Sequence, residues 1–245
     1  MRSHPPPPAP MILREGPGDL VVWKPPGMAS ELTTDPHGAS LIGWLRRQGH
    51  AGARLCHRLD RGTQGLLVVG LSRESAAFHG AQITARRWAK HYLARVRAPA
   101  EGVELGRISG YLREAGGRVE LVRSGGKAAH MDLLAAAPAP GRRGELHLLI
   151  RLLTGRRHQI RALLSGRGLP LTGDEAYGGG PGSFYLDHVL LGLPAWPSGD
   201  WLLLRGRPAE ALDPGLQASL DGLHPAPAPA VGAAPSALAP RAPIP

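Results

Sequence analysis

The chain has 245 residues, a formal net charge of +10 and a single cysteine, Cys56, which excludes an intrachain disulfide and a multi-cysteine metal cage. No apolar run approaches the roughly 20 residues of a membrane span, and Met1-Arg2-Ser3-His4, running into prolines, lacks the apolar stretch of a secretory signal. The sequence pI of about 10.9 points to a polyanionic partner, and a cytoplasmic monomer is expected.

Residues 1–10 are proline-rich, and residues 224–245 are a proline and alanine tract with almost no charge. Both are read as disordered tails around one folded unit, residues 11–223. Asp19 to Lys24 reads as a strand stopped by Pro25-Pro26-Gly27. Residues 38–48 set Leu41, Ile42, Trp44 and Leu45 on one side at helical spacing. Arg46 and Arg47 fall at the end where the helix dipole favours cations, and Gly49 is the stop.

Cys56 to Gly70 is the densest stretch. Asp60 lies between Arg58 and Arg61, whose guanidinium groups favour an ionised carboxylate, and His57 is just upstream. Leu66 to Val69 then reads as a short buried strand, so the acid sits on a loop held by a rigid element. A carboxylate there serves as nucleophile, base or metal ligand, or it pairs with the arginines and holds the loop.

Residues 72–87 read as a helix, with Ser72 as N-cap, Glu74 in the first turn and Arg86-Arg87 in the last. Trp88 to Arg97 alternates as a strand carrying Lys90 and Tyr92. Gly116-Gly117 and Gly125-Gly126 punctuate residues 99–145 into antiparallel hairpins. Leu146 to Leu153 is the longest strand candidate. Thr154 then suits the cap of a three-turn helix, with Arg157 and Arg161 four apart on one side, beside His158. Arginines at a helix start receive phosphate or carboxylate groups. Tyr177 to Gly182 is glycine-rich but lacks the Gly-Lys-Ser/Thr of a P-loop, and is read as a flexible connection. The predicted fold is α+β: a single domain around a mixed, mostly antiparallel sheet with flanking helices.

His57-Arg58-Leu59-Asp60, with Thr63 and Gly65 before an apolar strand, resembles the active-site motif of the RluA-type pseudouridine synthases. Lys24-Pro25-Pro26-Gly27 and Lys90-His91-Tyr92 resemble further motifs of that family. So does Thr154-Gly155-Arg156-Arg157-His158-Gln159-Ile160-Arg161, with Gly168, Pro170, Gly173-Asp174 and Tyr177-Gly178 behind it. The chain departs from the family at Gln64, where serine is usual, and at Leu163, where histidine is frequent.

The resemblance implies an isomerase that converts a uridine of structured ribosomal or transfer RNA to pseudouridine, with no cofactor and no metal. It makes Asp60 the catalytic residue, Arg161 its partner and Tyr92 the aromatic against the target base. Arg58, Arg61, Lys90, Arg156, Arg157 and His158 are then the groups expected to grip RNA. The small N-terminal RNA-binding domain of some relatives is expected to be lacking. Two other readings stand beside this one. The first is a catalytically silent RNA-binding relative. The second is a metal-dependent nuclease or phosphohydrolase built on His57, Asp60, His158 and Asp174, although carboxylates near the motifs are few for that chemistry.

Overall fold

The computed structural model describes residues 8–33, 39–100 and 102–226. In chain order the elements are β1 (Met11–Glu15), β2 (Asp19–Lys24), α1 (Leu41–Arg47), β3 (Arg54–Leu55), β4 (Gln64–Gly70), α2 (Arg73–Thr84), β5 (Ala89–Arg97) and β6 (Gly106–Ala115). They continue as β7 (Arg118–Val122), β8 (Lys127–Pro138), β9 (Glu145–Leu152), α3 (Gln159–Ser165), β10 (Leu186–Pro194), β11 (Trp201–Arg205) and α4 (Pro214–Asp221). The strands join one sheet in the order β1-β2-β4-β10-β5-β9-β8-β6-β7, with β11 on β10 and β3 on β4. Among the described strands β4 and β10 run parallel and the other pairs are antiparallel. This is the α+β fold around a mixed, mostly antiparallel sheet that the residue pattern predicts.

The central strands are covered on both faces, which is why every residue of β4 and β10 is buried and why Leu66 to Val69 and Val189 to Leu191 read as apolar runs instead of alternating. On one face Leu41 and Leu45 of α1 and Ile160 and Leu164 of α3 pack against Leu20, Leu67, Ala94 and Ile150 of the sheet. On the other, Leu216 and Leu220 of α4 pack against Leu93, Leu149 and Leu190. Where β4 meets β10, Gly65 has φ +110, and a Cβ there would lie 2.5 Å from the His188 carbonyl oxygen. Only glycine lets the two strands come this close. At the other end of the sheet, Gly116 and Gly117 have φ +55 and +80 and close the β6–β7 hairpin, the geometry a tight two-residue turn requires.

Three local expectations are corrected. The segment after β9 is not a three-turn helix capped by Thr154. His158 adopts a left-handed backbone (φ +50) and α3 begins only at Gln159. The Thr154 hydroxyl donates to Gln159 Oε1 at 2.7 Å, and its oxygen accepts the His130 amide at 2.9 Å, so it fastens the loop to β8. Arg157 therefore lies outside the helix that carries Arg161. The helix α2 ends at Thr84 and Arg86 has φ +58, so Arg86 and Arg87 follow the last turn instead of filling it. The segment from Tyr177 is not a loose connection. Residues Glu175–Tyr177 form a 3₁₀ turn, and the Gly179 amide closes on the Asp174 carbonyl at 2.9 Å.

The predicted tails lie largely outside the described residues. Of their inner ends, the Pro225 carbonyl accepts the Trp201 indole N–H at 2.8 Å.

Candidate active site

The loop that carries Asp60 is held from below by buried polar contacts. Ser30 Oγ donates to the Leu59 carbonyl at 2.8 Å and accepts the Leu59 amide at 3.1 Å. The Lys24 ammonium is buried under the Pro-Pro-Gly turn and donates to the carbonyls of Met28, Pro25 and Arg61, at 2.8, 2.9 and 3.3 Å. The Gly27 amide also reaches the Arg61 carbonyl, at 2.8 Å. Burial pulls the Lys24 pKa down to about 7, with the negative charge of Asp60 opposing it. The Pro-Pro-Gly turn and the Asp60 loop are thus one cross-braced unit.

Two side chains fasten the loop to the sheet on either side of Asp60. His57 Nε2 accepts the Val68 amide at 3.1 Å, and its ring meets Trp88 and His188 edge-on. Burial, followed by the charges of neighbouring groups, holds His57 well below the usual imidazole range. Past the loop, the Gln64 amide donates to Asp187 Oδ2 at 3.0 Å, and both residues are buried. The residue that replaces the family's serine therefore serves, through its amide nitrogen, as a link between β4 and β10. Leu163, the other departure, is buried in the main core.

Opposite Asp60 stands α3. Arg161 Nη1 is 3.6 Å from Asp60 Oδ2. Its other nitrogens are committed to Asp174, with Nε 2.7 Å from Oδ2 and Nη2 2.8 Å from Oδ1. The guanidinium also stacks over the Tyr177 ring at 4.7 Å. Burial works against its charge, but the hydrogen bonds and charge of Asp174 prevail and raise its pKa. His158 Nε2 is 3.8 Å from Asp60 Oδ2, while its Nδ1 meets the Tyr177 hydroxyl at 2.9 Å. Burial depresses His158 below the ordinary imidazole value against the pull of Asp60. Arg161, not His158, is therefore the cation that faces Asp60 at neutral pH.

Tyr92 lies 5% exposed, its ring stacked on His188 at 4.4 Å and 13°. The His188 Nδ1–H donates to the Leu66 carbonyl at 2.7 Å, which fixes that ring. Burial first, and then the charge of Asp60, raise the Tyr92 pKa above the ordinary phenol value.

The remaining predicted residues are spread over the surroundings. Arg58 is exposed and meets Glu31 at 3.3 Å; Arg61 is exposed beside the Gly27 carbonyl. Lys90 is partly buried on the Tyr92 face, and burial lowers its pKa to about 8. Arg156 donates to the Ala128 carbonyl at 3.1 Å. Arg157 reaches Glu114 at 3.2 Å and the Gly117 carbonyl at 2.8 Å, tying the β6–β7 hairpin to the loop before α3.

Sequence reasoning gave no side-chain role to Lys24, His188 or the Gln64–Asp187 pair, and gave Asp174 one only as a ligand in the metal-dependent reading, not as the partner of Arg161. Asp174 alone carried a usable signal, as a carboxylate in a Gly-Asp step shortly after the arginine-bearing helix. Among the described residues no three His, Cys, Asp or Glu side chains gather as a metal site.

The family model described as RNA pseudouridylate synthase matches residues 20–166, from β2 through α3. The chain belongs to the RNA pseudouridylate synthase family. It is 30% identical over 184 residues to the dual-specificity RNA pseudouridine synthase RluA of Escherichia coli, covering 72% of this chain and 82% of that one. It is 32% identical over 170 residues to an uncharacterized RNA pseudouridine synthase of Mycoplasma pneumoniae, where the match spans 68% of this chain and 55% of the relative. The fold agrees with human RNA pseudouridylate synthase domain containing 1, at a TM-score of 0.70 and 24% identity, covering 90% of this chain and 97% of that one. The braced Asp60 loop and the arginine of α3 both lie inside the matched region, whereas Asp174, which positions that arginine, lies beyond it.

Proposed function

We propose that this protein isomerises a uridine of structured ribosomal or transfer RNA to pseudouridine, with Asp60 as the reacting carboxylate. The observation that carries the reading is the Asp60–Arg161 approach at 3.6 Å, between a braced loop and a guanidinium locked by Asp174. In the reaction the bond from ribose to uracil N1 breaks, the base turns, and a new bond forms between the ribose and carbon 5, which gives up its proton while N1 gains one. The atoms of product and substrate are the same. Asp60 starts it by attacking the ribose or by removing one of its protons, and both routes need the ionised carboxylate. Arg161, 3.6 Å away, holds that carboxylate in register.

The target base has to leave its stack to reach Asp60, and the Tyr92 ring, backed by His188, is the aromatic surface offered to it. Arg58, Arg61, Lys90 and Arg156 supply cations around the cleft for the phosphates. Arg157 and His158 act by shaping the wall, through Glu114 and Tyr177. The catalytic unit is residues 11–223, acting as a cytoplasmic monomer without metal or cofactor.

The test is to map pseudouridines in RNA from cells with the protein, without it, and with Asp60→Asn in its place. A uridine modified only in the presence of the wild-type chain supports the reading. Identical maps in all three contradict it.

A further inference from the structure

A cavity of about 450 Å³ opens between the β6–β7 hairpin, the turn before β8 and the loop before α3. Its floor is Leu112 and Val119, which belong to the core that packs against α3, so it lies on the α3 side of the sheet with Asp60. Consecutive residues serve the two sites: Arg157 lines the cavity, and the next residue, His158, approaches Asp60.

The cavity carries a surplus of cations. Arg113, Lys127, Arg156 and Arg157 line it against one carboxylate, Glu114. Glu114 spends one oxygen on Arg157 at 3.2 Å, which neutralises that pair and leaves its second oxygen as an acceptor. Arg113 has only a 3.8 Å approach to Glu120, with both side chains more than half exposed, and solvent screens such a pair. Among the described residues the Arg156 guanidinium bonds through Nε alone, to the Ala128 carbonyl, and its two terminal nitrogens have no partner there. Lys127 is exposed and makes no side-chain hydrogen bond or ion pair among the described residues.

We propose that this cavity is a second nucleotide subsite, which takes a nucleotide of the substrate RNA flanking the reacting uridine. Its phosphate sits on Lys127 and Arg156, its base or ribose against Leu112 and Val119, and Glu114 accepts from an amino group or a 2′-hydroxyl. An apolar floor, a cationic rim and one acceptor are what a nucleotide asks of a site. A purely electrostatic patch needs neither floor nor acceptor. The inference rests on the RNA isomerase reading above and adds to it where the neighbouring nucleotide lies.

The experiment follows binding of a fluorescein-labelled oligouridylate to the full chain by anisotropy, between about 50 and 200 mM salt. Each phosphate contact on a single strand contributes about 0.7 to the slope of log affinity against log salt, so Lys127→Ala lowers the slope by about that amount. Lys127→Glu weakens binding about tenfold and Lys127→Arg restores it. Arg87→Glu makes the same charge change at an exposed arginine just after α2 and has a clearly smaller effect. The subsite is overturned if Lys127→Glu does no more than Arg87→Glu, or if Lys127→Arg fails to restore binding. Asp60→Asn is assayed beside them for product formation. Its turnover decides the isomerase reading separately, so a failed subsite and a failed reading give different results.

Discussion

Arg161 gives two of its three nitrogens to Asp174 and only one to Asp60. The residue that faces the Asp60 carboxylate is thus positioned by a second carboxylate, almost fully buried, that arrives from the loop after α3.

Asp174→Asn tests that positioning. Breaking one side of a buried ion pair costs about 3–5 kcal/mol, so the melting temperature falls. The freed guanidinium loses register with Asp60, and a displacement of this kind costs on the order of 100-fold in turnover. RNA affinity changes far less. Single-turnover rates and binding measured on the same preparation check the split. Equal losses in binding and turnover would reduce Asp174 to a structural residue.

Asp187 sets a pH dependence. Burial pushes its carboxyl up to about 6 from an ordinary 3.8, against hydrogen bonds from Gln64 and the Ala209 amide. A carboxyl with a raised folded value opposes folding most above pH 6, where it is charged. That cost fades as pH falls through 6 and is gone below the ordinary value. The difference of about two pH units corresponds to about 3 kcal/mol. Asp187→Asn keeps an acceptor for Gln64 and removes the charge. Melting curves should therefore show it gaining more stability at pH 8 than at pH 5; an equal gain at both would rule out the charge as the cause.

Much of this fold was legible because burial writes itself into apolar periodicity. Asp19 to Lys24, Leu66 to Val69 and the strand around Tyr92 stand out for that reason, and the glycine pairs at 116–117 and 125–126 mark turns that only glycine forms readily. What escaped was structure held by tertiary contact. The strand β1 alternates exposed and partly buried residues at the sheet edge, and α4 is two turns whose apolar face has meaning only against Leu93 and Leu149. The short α3 escaped for a related reason: Thr154 looks like a cap in sequence, but His130 and Gln159 compete for its hydroxyl. In the site, Asp60 and Arg161 were found through resemblance. The Gln64–Asp187 and Arg161–Asp174 links were not, because pairs 123 and 13 residues apart leave no periodic trace.

The extent of the folded unit follows from α4. A chain ending at Leu212 loses Leu216 and Leu220 from the core, each worth about 2–5 kcal/mol, and the carbonyls that receive Arg205. It should melt far below wild type. A chain ending at Ala226 keeps all of these and should melt with it. Thermal melts of the two truncations decide where the unit stops.

Tyr92→Phe retains the stack on His188 and should keep the wild-type melting temperature within about 1 kcal/mol of stability. If the ring is the surface offered to the base, turnover should survive too. Tyr92→Ala opens a hole beside His188 that costs about 3–5 kcal/mol, so its lost turnover counts only if the fold persists by circular dichroism. Unchanged turnover in a folded Tyr92→Ala would return the tyrosine to a packing role.

The central claim is that Asp60, held in register by Arg161, carries out the isomerisation. Asp60→Asn preserves shape and hydrogen bonding and removes the charge. Arg161→Lys keeps a charge and loses the planar fork. The most direct measurement is pseudouridine formation by wild type, the two single variants and the double variant, on RNA from cells lacking the protein. The account predicts no product with Asp60→Asn although RNA still binds, a strong loss with Arg161→Lys, and a double variant no worse than Asp60→Asn alone, because the same pair is broken twice. Full product from Asp60→Asn would contradict it.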